Sequence, residues 1–138
     1  MSQELAISLI SKGKNTFVTG GAGRGKSWVI RQIHDKETVL IAPTGVAALN
    51  IGGMTAHSAF GLPFGYPTEQ EWKKVTTRSK KLFGKSSGVK RIILDEIGMV
   101  SAVMLDLIDT KLKIIRGNKL PFGGLQMVGV GDFYQLEP

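Results

Sequence analysis

A chain of 138 residues with 42% hydrophobic and 21% charged side chains can bury the core of one domain, which excludes a disordered segment; with no cysteine it also excludes a disulfide framework and a thiolate metal site. No stretch reaches the length of a membrane-spanning helix, and Met-Ser-Gln-Glu-Leu lacks the charged start and apolar run of a secretory leader, so no membrane partner is expected. The net charge of +7 is concentrated: between residues 63 and 91, eight cations (Lys73, Lys74, Arg78, Lys80, Lys81, Lys85, Lys90, Arg91) against Glu69 and Glu71 leave +6, a patch that suits a polyanion or a merely solvated loop.

Gln3 to Ile10 carries Leu5, Ile7, Leu9 and Ile10 in a pattern that suits a short helix, stopped at Gly13, and Asn15 to Thr19 reads as a strand. Next comes Gly20-Gly21-Ala22-Gly23-Arg24-Gly25-Lys26-Ser27, a G-x-x-x-x-G-K-S loop, and then a helical repeat of Trp28, Val29, Ile30 and Ile33 over Lys26 to His34. Triphosphate oxygens need several donors converging on a small volume, and a glycine loop lets backbone N–H groups approach where a Cβ would clash. Lys26 can reach the β and γ phosphates, the Ser27 hydroxyl can ligate Mg²⁺, and the helix start adds its positive end. Thr38 to Ala42 is a buried strand stopped by Pro43. Thr44 to Ile51 reads as a helix with Val46, Ala47, Ala48 and Leu49 as its apolar face, ended by Gly52 and Gly53. From about 63 to 90, prolines and glycines with few apolar residues predict a basic loop or small insertion in which Glu69 to Val75 can form a helix. Arg91 to Asp95 is a strand ending in acid, Ser101 to Arg116 an amphipathic helix, and Leu125 to Gly131 a final strand.

Strands alternating with helices imply an α/β fold: a parallel sheet with helices on both faces. Ligands gather at the carboxyl ends of such strands, where Gly20, Pro43, Asp95 and Asp132 fall. There Asp95 can hold Mg²⁺ directly or through water, and Glu96 can orient a hydrolytic water, as an ATPase requires. Gln135, after Gly131-Asp132-Phe133-Tyr134, carries an amide that can donate to the γ phosphate and accept from water. The plainer readings are an acidic loop end and an exposed glutamine.

With these motifs in order, the chain resembles the first RecA-like lobe of a superfamily 1 DNA helicase of the PIF/RecD branch, over nearly its whole length. The carriers are Gly20 to Ser27 (GGAGRGKS), Ala42 to Leu62 (APTGVAALNIGGMTAHSAFGL), Leu94 to Val100 (LDEIGMV) and Pro121 to Pro138 (PFGGLQMVGVGDFYQLEP). The resemblance implies ATP as nucleotide, Gln3 as adenine reader, Thr44 and Gly45 near a DNA phosphate, and Asn50 and His57 along the path of single-stranded DNA. It implies that Gln135 couples nucleotide state to DNA grip. His57 or Phe60 could stack on an unpaired base, although Phe60 equally suits a core and His57 a structural hydrogen bond. Arg24, Gly98, Ser101 and Glu137 depart from the family pattern; Gly98 and Ser101 stand where a serine and an aspartate are usual.

Family members hydrolyse ATP between two RecA-like lobes, with an arginine from the second, and this sequence holds no second lobe. The expectation is therefore the ATP-binding lobe of a helicase that moves five-prime to three-prime on single-stranded DNA and unwinds duplex, completed by a second lobe or chain. An intracellular setting is expected, in cytoplasm or nucleoid, or in the nucleus of a eukaryote. The alternative is a stand-alone, nucleotide-responsive DNA-binding lobe without motor activity. A P-loop kinase of small molecules would need a lid and an acceptor pocket that the sequence does not offer.

Overall fold

Successive side chains of the central strands join two different core clusters in turn, and that alternation assigns each helix to a layer. The computed structural model describes residues 3–18, 24–63 and 65–131; the side chains of residues 3 and 24–27 lie outside the description. In chain order the elements are α1 (Gln3–Ser11), β1 (Thr16–Val18), α2 (Arg24–Ile33), β2 (Thr38–Ala42), α3 (Gly45–Ile51), β3 (Met54–Thr55), α4 (Ala56–Phe60), α5 (Glu69–Lys73), α6 (Thr77–Phe83), β4 (Arg91–Leu94), α7 (Ala102–Arg116) and β5 (Gln126–Val130). The five strands form one sheet in the order β1-β5-β4-β2-β3, every neighbouring pair parallel. Leu40, Ile93 and Val128 face one side, against Ala6 and Ile10 of α1 and Val29, Ile30 and Ile33 of α2. Ile41, Ile92, Leu94 and Met127 face the other, against Ala59 and Phe60 of α4, Phe83 of α6, and Leu107, Ile108 and Leu112 of α7. The expected parallel sheet with helices on both faces is therefore what the chain builds. No helix among the described residues is long and apolar enough to cross a membrane.

One sequence expectation changes. The apolar face assigned to α3 does not exist as written: Ala48 is buried, while Val46 is 74% and Leu49 82% exposed. Four consecutive residues sweep most of the way round a helix and cannot share one side of it. Of the two readings of 63–90, the described residues build the small insertion: α5 falls inside the helix expected at Glu69 to Val75, and α6 follows it. Thr68 caps α5 in a box with Glu71, and Thr76 caps α6.

The core reaches out to hold these short helices. Ser79 Oγ donates to the Ala59 carbonyl at 2.5 Å. Lys111 Nζ, from α7, donates to the carbonyls of Glu71 (2.9 Å) and Lys74. Arg116 Nη1 donates to the carbonyls of Phe83 (3.1 Å) and Gly84 (3.3 Å). Lys111 is only 1% exposed, and burial pushes its ammonium below the usual lysine range.

Candidate nucleotide and nucleic-acid site

The registers bring four strand ends to one rim: Val18 lies opposite Val130, Gly129 opposite Leu94, and Leu94 opposite Ile41. The ladder continues one residue past β4, because Asp95 N donates to the Ile41 carbonyl at 2.8 Å, and this seats Asp95 at the mouth of the sheet. The chain then breaks sharply. Glu96 adopts φ 53 and ψ 44, the left-handed region, which costs a residue with a Cβ about 1–2 kcal/mol. A tight helical turn over Ile97–Met99 follows, with Met99 N donating to the Glu96 carbonyl at 2.9 Å and Ile97 buried beneath. Gly131, just past β5, fixes this turn from the other side. Its N–H donates to the Val18 carbonyl at 3.0 Å, and a Cβ there, at φ +145, would stand 2.9 Å from Ile97 N and 3.2 Å from Glu96 Cα. Only glycine lets the end of β5 close on the Glu96 backbone.

In front of this turn opens a cleft of about 440 Å³, walled by Asp95, Glu96 and Met99 on one side and by Thr44, Val46 and Asn50 on the other. Four sequence-predicted residues thus meet: the two carboxylates, Thr44 and Asn50. Thr44 is the N-cap of α3, its Oγ1 accepting from Ala47 N at 3.2 Å, and Gly45 is the exposed first residue of that helix. Val46 and Met99 were not anticipated; the signal available was an apolar residue that the helical period turns away from the core. His57 lies outside it, in a separate cleft of about 320 Å³ with Leu62, Tyr66 and Met104.

Phe60 is a correction. It is 0% exposed and stacks on Phe83 with ring centroids 4.7 Å apart and planes 4° from parallel, so it presents no face to a base. Its place on the last turn of a five-residue helix that caps the sheet makes it core.

Gly20, Gly21, Ala22, Gly23 and Gln135 lie outside the described residues. Gln3 begins α1, and Arg24, Gly25, Lys26 and Ser27 form the first turn of α2, with their side chains outside the description. Among the described residues, strand β1 ends at Val18 and helix α2 starts at Arg24, the flanking order that a phosphate-loop sequence requires. Among the described residues no group of three or more His, Cys, Asp or Glu side chains forms a metal cage. Two rim carboxylates with no cage fit Mg²⁺, which takes one or two carboxylates and completes its shell with substrate phosphate and water. The departure at Ser101 has a local reason: Ser101 is the N-cap of α7, its Oγ accepting from Met104 N at 3.1 Å, a task serine and aspartate share.

A parallel sheet covered on both faces, with a phosphate-loop sequence after its first strand and Asp-Glu after a neighbouring one, defines a RecA-like lobe of the P-loop NTPase class. A family model described as PIF1-like helicase matches residues 2–138, and the chain belongs to that family. It is 41% identical over 143 residues to the ATP-dependent DNA helicase PIF5 of Trypanosoma brucei brucei, a match covering 99% of this chain and 15% of that protein. Unliganded Pif1 from Bacteroides sp superposes with a TM-score of 0.85 at 40% identity, covering 99% of this chain and 32% of that one. Pif1 helicase from Bacteroides in complex with ADP-AlF3 and ssDNA gives a TM-score of 0.81 at 38% identity, covering 99% and 32% respectively. The chain thus spans between 15% and 32% of the length of these relatives.

Proposed function

We propose that this chain is the ATP-binding and ATP-hydrolysing lobe of a helicase that travels five-prime to three-prime on single-stranded DNA and unwinds duplex. The observation that carries the reading is the single cleft that joins Asp95 and Glu96 to Thr44 and Asn50. Nucleotide chemistry and a strand contact there face each other across one cleft, so a change in one reaches the other through α3. In this reading the backbone of Gly20 to Gly25 cradles the phosphates and Lys26 neutralises the β and γ oxygens, while Gln3 reads the adenine. Ser27 and Asp95 hold the nucleotide's Mg²⁺, which when bound withdraws charge from the bridging oxygens. Glu96 accepts the proton of the attacking water, and its left-handed backbone aims the side chain out of the sheet into the cleft. Gln135 senses the γ phosphate. Thr44, Gly45, Asn50 and His57 line the strand path. An arginine from a second RecA-like lobe completes the transition-state clamp and is worth roughly 10³ to 10⁵ in rate.

Nucleotide binding and steady-state turnover, each measured with and without single-stranded DNA, test the reading. Lys26→Ala is expected to lose ATP affinity, and Glu96→Gln to keep it while losing residual turnover. Wild-type ATP affinity in Lys26→Ala would refute the nucleotide site, and brisk DNA-stimulated turnover by the 138-residue chain alone would refute the need for a second lobe. DNA affinity that responds to an ATP analogue without turnover, even when a second lobe is supplied, would favour the non-motor alternative.

A further inference from the structure

A second cleft, of about 610 Å³, opens on the opposite rim of the sheet, between the turn from α1 to β1, the start of β4 and the turn over Pro121–Gly124. Arg91 and Asp95 stand at the two ends of one strand, about 13 Å apart at ~3.3 Å per residue, so this cleft is separate from the nucleotide rim. Its walls carry Lys14, Lys90, Arg91 and Arg116 and no carboxylate.

The four cations are not equally free. Arg91 is occupied: Nε donates to Gln126 Oε1 at 2.9 Å, Nη1 donates to the Ile33 carbonyl at 2.8 Å, and Asp35 lies 3.9 Å away. Lys90 pairs with Glu37 at 3.2 Å, but both side chains are well exposed and such a pair exchanges readily with water. Lys14 and Arg116 have no carboxylate within salt-bridge distance among the described residues. Arg116 is also held in place. Its stem lies against Gly123, where a Cβ would stand 2.7 Å from Arg116 Cγ, and Nη1 is bound to the Phe83 and Gly84 carbonyls. Its Nε is buried with no hydrogen-bond partner, the one such side-chain nitrogen or oxygen among the described residues. Sealed from solvent, that N–H is out of a ligand's reach; what the cleft presents is the positive charge of four cations with no carboxylate in its walls, and an oxyanion matches that charge.

We propose that this cleft binds phosphate groups of a nucleic-acid backbone, on the rim opposite the nucleotide. Backbone phosphates are favoured over a single small anion because the positive charge continues past the cleft. Exposed Lys12 and Lys119 lie beside it in the chain, and Lys85 Nζ lies 3.9 Å from where a Cβ of Gly117 would stand. A band of spaced cations answers a chain of spaced phosphates. The lobe then touches nucleic acid at both ends of its sheet. Through Arg116 the second contact bears directly on the carbonyls that seat the end of α6.

The test uses the whole chain and the double variant Lys14→Gln/Lys90→Gln. Both side chains are exposed, so the melting temperature and Mg-ATP affinity are expected to stay at wild-type values. Affinity for a fluorescent oligothymidylate is measured by anisotropy across a salt series without nucleotide. The expected result is weaker binding at low salt and a plot of log K against log salt shallower by about 1.4, from two phosphate contacts at ~0.7 each. An unchanged slope overturns the proposal. In a second arm, inorganic phosphate alone is titrated against thermal unfolding; if it stabilises wild type but not the variant while the DNA slope stays fixed, the site is one for free phosphate and the nucleic-acid assignment falls. Asn50→Ala reports on the other rim. Loss of DNA affinity in that variant alone sinks this inference, and loss in the double variant alone sinks the strand contact proposed for the nucleotide rim.

Discussion

Replacing Phe60 by leucine separates a core role from a base-stacking one, because the two roles assign the lost free energy to different measurements. Phe60 is 0% exposed and stacked on an equally buried Phe83. A modest loss of side-chain volume in a packed core costs about 0.5–1.5 kcal/mol, and losing the aromatic pair adds about 0.5–1.5 kcal/mol, for a total of about 1–3 kcal/mol. With an unfolding entropy of about 2.1 cal/mol/K per residue, the 138-residue chain loses about 3 °C in melting temperature per kcal/mol, so Phe60→Leu is expected to melt about 3–10 °C lower. Base stacking on an aromatic ring is worth about 1–3 kcal/mol, which would appear as a loss of about 5- to 150-fold in affinity for single-stranded DNA. The assays are thermal unfolding by circular dichroism and oligonucleotide anisotropy well below the transition. DNA affinity within twofold of wild type, with the melting shift, is the expected pair of results. An unchanged melting temperature with a tenfold drop in DNA affinity would refute the core assignment. Phe60→Leu combined with Phe83→Leu should then be less damaging than the sum of the two by about 0.5–1.5 kcal/mol.

Glu96→Gly should raise stability by about 1 kcal/mol, seen as a higher melting temperature, while removing hydrolysis; glycine takes the left-handed conformation without the steric cost that glutamate bears. Lys111→Met should cost about 1–3 kcal/mol, read from denaturant midpoints, because it leaves the Glu71 and Lys74 carbonyls without their donor. A midpoint equal to wild type would show that the tether is not energetic. Glu71 is held below its ordinary value of 4.5, chiefly by the Thr68 backbone N–H, which donates to Oε1 at 2.8 Å. A carboxylate depressed in the folded state stabilises above its unfolded pKa and loses that contribution as pH falls through the folded value. Emission from Trp72, which sits within α5, should therefore change as pH drops below 4.5. The change should vanish in Glu71→Gln, where the amide oxygen keeps the capping bond but does not titrate.

The long elements were legible in the sequence, as were the short β1, α3 and α5, whereas β3, α4 and α6 were not. The 15-residue helix α7 and the apolar strands β2, β4 and β5 fall within a residue or two of expectation, because α7 buries one face and carries a helical period, while the strands, buried on both faces, stand out as short apolar runs. β3 has two residues, α4 five and α6 seven, too few turns for a period to show. The start signals of α4, α5 and α6 were nevertheless present as Thr55, Thr68 and Thr76, and Thr68-Glu69-Gln70-Glu71 is a capping box written out in full. Of the site, the acid pair at the strand end could be read directly, since a buried run that stops in Asp-Glu leaves the carboxylates little choice of place. Phe60 could not be resolved. Its ring partner comes 23 residues later, in a stretch whose prolines and glycines argued for a loop, so nothing local distinguished a buried ring from an exposed one.

The way α5 and α6 are fastened reaches beyond stability. Lys111, Arg116 and Ser79 all donate to main-chain carbonyls, those of Glu71 and Lys74, of Phe83 and Gly84, and of Ala59. A carbonyl is the same whatever residue bears it. Two of the three donors belong to the helix beneath, so the outward side chains of α5 and α6 are free to be rewritten, for a different substrate shape or neighbour, without disturbing how the segment is moored.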